Sequence, residues 1–221
     1  EQVDRLIASP KFEDGLRNLF TELYHLHQLD SLVKDPLVFT HASPDLYQSA
    51  KEETLLSLLY NISNEFDFRD ILSTQETFVD RRLAALYNIP APVENGFGLT
   101  YLDDSLQRRG LLGQASILNL QAHATSTSAT LRGMFIRKIF LCQSIPPPPA
   151  NVDTSIPEAD ADSPTLRERL NSHLEDPSCA SCHQLTDLVG LGLENFDGIG
   201  RYPDKGFVHL DMRGSTARWN G

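Results

Sequence analysis

A chain of 221 residues and 24.7 kDa holds enough apolar material for one large domain or two small ones. Its formal net charge of −11 and pI near 5.0 argue against a nucleic-acid binder, because a phosphate backbone demands clustered Lys and Arg. No stretch of eighteen consecutive apolar residues occurs, so no segment of this chain reads as a membrane span. The start at Glu1 rather than Met, with no leader segment, is expected of a mature or internal piece of a longer precursor.

Residues 11–33 set Phe12, Leu16, Leu19, Phe20, Leu23, Leu26 and Leu29 at three- and four-residue steps, which predicts one amphipathic helix. His25 and His27 near its end read as solvated or capping side chains rather than ligands. A second helix is expected from Ser43-Pro44-Asp45, with Ser as N-cap and Pro at the first helical position. Its apolar face comprises Leu46, Ala50, Leu55, Leu58, Leu59 and Ile62, and Glu52-Glu53 read as a solvated face rather than as catalytic carboxylates. Residues 65–72 predict a short helical turn, and Thr77 to Tyr87 a third helix with Phe78, Leu83 and Leu86 inward. It stops at Ile89-Pro90-Ala91-Pro92. Residues 94–104 read as a loop, in which Gly96-Phe97-Gly98 is a turn, since a dinucleotide fingerprint needs a third glycine and a preceding strand.

Beyond Ile117, Leu118 and Leu120, the hydroxyl-rich run Thr125 to Thr130 reads as a loop plus an N-cap, and Met134 to Cys142 as a helix. Pro146 to Pro149 end that helix and open an extended, acidic connector. Ser163-Pro164-Thr165 restarts a helix with Leu166, Leu170 and Leu174 as its stripe, ending at Asp176-Pro177. The expected organisation is a helical domain over 1–92, a bridging helical and loop region over 93–144, a proline-rich acidic linker over 145–162, and a haem-binding region over 163–221.

The chemistry is carried by Cys179-Ala180-Ser181-Cys182-His183, the C-x-x-C-H pattern of c-type haem attachment. Two thiols one helical turn apart can both bond to the vinyl groups on one edge of a porphyrin, and the next histidine can bind the iron. With this composition the pattern arises by chance in roughly one such sequence per thousand, so coincidence is a poor account of it. A thioredoxin-like redox disulfide would want a βαβ context, and zinc would want four ligands where only Cys142 and His173 remain nearby. Cys142 itself reads as a small apolar residue without a role. The apolar run through Leu185, Leu188, Val189, Leu191, Leu193 and Phe196 suits the covering of a porphyrin face, with Arg201, Tyr202 and Trp219 as propionate or haem-edge contacts.

Several stretches together resemble one family: Arg109-Gly110-Leu111-Leu112, Thr127-Ser128 with Arg132-Gly133, the polyproline connector, Thr165-Leu166-Arg167-Glu168 with His173, and CASCHQLTDLVGLGLENFDGIGR over 179–201. They are similar to large exported bacterial cytochromes built from serial domains of unknown function. In that family a helical domain precedes a haem domain with the pattern C-x-x-C-H, D-x-x-G, LENFD and G-x-R. The resemblance implies a mainly α fold with a helical N-terminal region and a cytochrome c-like haem region, one covalent haem c, export and a redox context. Members commonly carry a proline in D-P-x-G where this chain has Leu188, so the backbone carbonyl that such a proline aims at the proximal imidazole is not implied here.

His183 is the expected proximal ligand, and the distal one stays open among Met212, His123, His209, Met134 and a vacant position. The expected function is electron transfer in the periplasm or beyond, with a redox partner protein or neighbouring domains of the same precursor. A peroxidase-like enzyme with an open distal site, using His123 with Arg132 as its acid-base pair, is one alternative. A structural or docking unit of an exported assembly is another.

Overall fold

A computed structural model describes residues 1–146, 170, 177–202, 209–211 and 215–217. The chain is mainly helical and divides into two compact units, Glu1–Val33 with His41–Leu120, and Lys34–Thr40 with Gln121 onward. The stretch 93–144 is thus shared between them. Residues 147–162 of the linker and the Ser163-Pro164 helix start lie outside the described residues.

In the first unit, Ser43 Oγ accepts the Leu46 N–H at 3.1 Å and Pro44 takes the first helical position, so α3 runs over Pro44–Ser63 after α1, Gln2–Ile7, and α2, Phe12–Leu23. Leu46, Ala50, Leu55 and Leu58 of α3 are buried as the periodicity requires. A second stripe at four-residue steps, Ser49, Glu53, Ser57 and Asn61, is buried as well. The solvated-face reading therefore holds for Glu52, which pairs with Arg17 at 3.0 Å, but not for Glu53, which is 0% exposed. Thr77 and Tyr87 hydroxyls meet its carboxyl at 2.8 and 2.7 Å. Burial pushes the Glu53 carboxyl up to about 7 against these hydrogen bonds. Burial and the Glu53 charge likewise raise the Tyr87 phenol, over whose ring Arg108 sits at 3.7 Å.

Two expectations for this unit are corrected. The helix over 11–33 ends at Leu23, because His25 adopts a left-handed conformation (φ 58°) and redirects the chain into a 3-10 turn over Leu26–Ser31. That turn buries Leu26 and Leu29, while Leu19 and Leu23 stay exposed. The helix over 77–87 is two elements. Glu76–Val79 forms β1, paired antiparallel with β2, Gly98–Tyr101, in the register Thr77↔Thr100 and Phe78↔Leu99, so the 94–104 loop also contains a strand. Thr77-Phe78-Val79 is β-branched and aromatic with Thr77 and Val79 buried, the alternation of a strand. Asp80 then starts α4, Arg81–Tyr87, by accepting the N–H groups of Arg82 and Leu83 at 3.0 and 2.9 Å. The unit closes with α5, Ala115–Leu120.

In the second unit α6 covers Ala129–Phe135, earlier than the expected start at Met134, because Ser128 Oγ caps the Leu131 N–H at 3.2 Å. It runs into a π-helical turn over Ile136–Phe140. The next described helix, α7, spans Pro177–Gly190 and packs on α6 in antiparallel fashion. The contact is backbone to backbone. A Cβ at Gly133 would lie 1.8 Å from the Thr186 carbonyl oxygen, and one at Gly190 would lie 1.8 Å from that of Ala129. A 3-10 turn, Leu191–Leu193, follows, and farther on β3, His209–Asp211, pairs antiparallel with β4, Ser215–Ala217. No helix among the described residues is long and apolar enough to cross a membrane.

Candidate haem-attachment site

Pro177 occupies the first position of α7, so Cys179, Cys182 and His183 all fall within the first two turns of one helix. A three-residue step rotates by about 300°, which returns the second thiol close to the side of the first. Cys179 is buried, Cys182 and His183 are partly exposed, and the cysteines are thiols rather than disulfides.

The imidazole of His183, 20% exposed, is held from within its own helix. Its Nδ1 lies 2.7 Å from Oδ2 of Asp187, one turn on, and that carboxylate is 0% exposed. The Thr130 hydroxyl of α6 donates to Asp187 Oδ1 at 2.9 Å, and Thr186 Oγ1 lies 3.0 Å from the same oxygen and 3.3 Å from the Cys182 carbonyl. With the carboxylate as acceptor, the ring proton is assigned to Nδ1, and Nε2 is then the nitrogen that could bind a metal. Two thiols one turn apart and an imidazole oriented through its other nitrogen form a donor set that could hold a c-type haem. Among the described residues there is no group of three or more His, Cys, Asp or Glu side chains that could hold a metal ion.

Asp187 is not among the residues that the sequence singles out. The signal for it is its position four residues after His183, on the same face of a helix.

The LENFDGIGR segment forms a turn closed on itself. Asp197 N–H donates to the Arg201 carbonyl at 2.9 Å, and Asp197 Oδ1 accepts the Ile199 and Arg201 N–H groups at 2.9 and 2.8 Å. Gly200 (φ 82°) supplies the left-handed residue the turn requires. Arg132, 1% exposed, clamps this turn to α6, its terminal nitrogens donating to the carbonyls of Leu193, Phe196 and Asp197 at 2.5, 3.0 and 2.8 Å. Burial lowers its pKa to about 10 against the nearby Asp197 charge. Lys34, also buried, donates to the carbonyls of Ala122 and His123 at 2.8 Å each, and burial followed by the Arg132 charge lowers it to about 8.

Of the other expected site residues, Leu191 is half-buried in the 3-10 turn. Phe196 is buried, with its ring edge-to-face on Tyr202 at 5.6 Å. Arg201 is half-buried with its backbone in the Asp197 turn. His123 is exposed, its carbonyl held by Lys34 and its N–H donating to the Ser126 carbonyl at 2.9 Å. Met134 is half-buried on α6, and His209 belongs to β3. Met212, His173 and Trp219 lie outside the described residues. Cys142 is exposed rather than buried.

No curated protein and no solved structure matches the chain. Residues 1–89 match a family described as a protein of unknown function (DUF1592), and residues 108–206 match another described as a protein of unknown function (DUF1588). Over most of its length the chain is therefore similar to two serial domains of unknown function, DUF1592 followed by DUF1588.

Proposed function

We propose that the chain binds one covalent haem c through Cys179, Cys182 and His183 and serves in electron transfer outside the cytoplasm, as part of a larger exported protein. The observation that carries this reading is a C-x-x-C-H motif at the start of a helix whose histidine is oriented by a buried carboxylate, Asp187, at 2.7 Å. Bound there, the haem would supply a one-electron iron couple. The chain's own residues attach and orient it. Cys179 and Cys182 form the thioether bonds, His183 presents Nε2, and Asp187 holds the Nδ1 proton in place. The carbonyls gathered by Arg132 hold the LENFD turn against α6, which keeps Leu191 and Phe196 in one unit with the motif. The electron partner is a redox protein or a neighbouring domain of the same precursor.

Electron transfer is favoured over peroxidase chemistry by Arg132. That guanidinium, the partner of His123 in the alternative acid-base pair, is buried and donates through both terminal nitrogens to backbone carbonyls. Visible spectra of the oxidised and reduced protein, with and without carbon monoxide, test the choice. A low-spin spectrum indifferent to carbon monoxide is expected. A high-spin spectrum that responds would overturn electron transfer as the sole function.

A further inference from the structure

We propose that Asp187 is the positioning residue of the proximal histidine and that its carboxylate holds the reduction potential of the bound haem low. This rests on the haem reading above. A main-chain carbonyl offers the imidazole a neutral dipole, whereas Asp187 offers a full negative charge at 2.7 Å, buried completely, where water does not weaken it. Negative charge on the far side of the ring raises the basicity of the nitrogen that binds iron and favours the more positive, oxidised metal. The geometry is built rather than incidental. Asp187 lies one turn beyond His183 on α7, and its other oxygen takes the hydroxyl of Thr130 from α6 at 2.9 Å and faces that of Thr186 at 3.0 Å. Each hydroxyl draws charge away from the carboxylate, so Thr130 acts on the iron in the opposite sense to Asp187. In the redox step one electron arrives from an external reductant, no bond forms or breaks, and the Nδ1 proton stays on His183.

The test is a mediated potentiometric titration of the full chain, exported from a host that attaches haem covalently, as wild type, Asp187→Asn and Thr130→Val. Asp187→Asn is expected to shift the reduced-to-oxidised ratio toward reduced by about tenfold, a rise of about 59 mV for a one-electron couple. Thr130→Val, which frees the carboxylate to act more strongly on the ring, is expected to move the ratio by about twofold to threefold the other way. A purely structural role would not produce shifts of opposite sign. Haem-loaded variants with potentials unchanged from wild type would overturn the role of Asp187 while leaving haem attachment standing. Should Asp187→Asn fail to fold, Thr130→Val decides alone, a fall in potential supporting the proposal and no shift or a rise overturning it. A wild-type chain without covalent haem would overturn both readings together.

Discussion

Replacing Glu53 by Gln isolates the one fully buried carboxyl of the first unit's polar core. Its folded-state pKa, about 7, lies above the ordinary value of 4.5, so the folded chain favours the protonated acid. The stability this contributes is fully present below about pH 4.5 and is lost as the pH rises through about 7. A rise of that size corresponds to about 3 kcal/mol between the two ends of the window. Gln cannot ionise and can still accept from Tyr87 or Thr77, so the variant lacks this slope while every other titrating group is shared with wild type. Urea unfolding followed by far-ultraviolet circular dichroism at pH 4.5, 6 and 8 measures the difference, with hydrogen exchange of the α3 amides assigning the transition to the first unit. The wild type is expected to lose about 3 kcal/mol relative to Glu53→Gln across the range. Parallel stability curves would refute the reasoning.

Asp80→Ala removes the acceptor of the Arg82 and Leu83 N–H groups and of the Ser49 hydroxyl at 2.6 Å, and is expected to cost about 1–2 kcal/mol in the same urea assay. Gly133→Ala forces a methyl onto the Thr186 carbonyl, where backbone meets backbone and neither helix can yield locally. It is expected to destabilise the second unit by about 1–3 kcal/mol and to quicken exchange of the α7 amides, with the first unit's transition unmoved.

What could be read from the sequence was what local chemistry decides. Ser43-Pro44 is a helix start wherever the rest of the chain goes, and C-x-x-C-H carries its geometry in its own spacing. The burial of Glu53 has no local signal, because it depends on Thr77 and Tyr87, 24 and 34 positions away, which face a polar stripe of α3. The strand at Glu76–Val79 was hidden because its partner sits beyond an intervening helix and because Val79 runs straight into the Asp80 cap. His183 has its partner in the Asp187 side chain, and a spacing of four residues on one helix is the local signal for it. Arg132 carried no local signal of its role, since the three carbonyls it gathers lie 61 to 65 residues away.

The central claim is that this chain carries haem covalently at Cys179 and Cys182. Its most direct test is the intact mass of the denatured chain, purified from a host that exports it and attaches c-type haem, compared with that of a Cys179→Ala, Cys182→Ala double variant. Covalent attachment requires the wild type to be heavier than its sequence by one haem and the double variant to have the mass of the bare polypeptide. A wild-type chain at the bare mass would contradict the account.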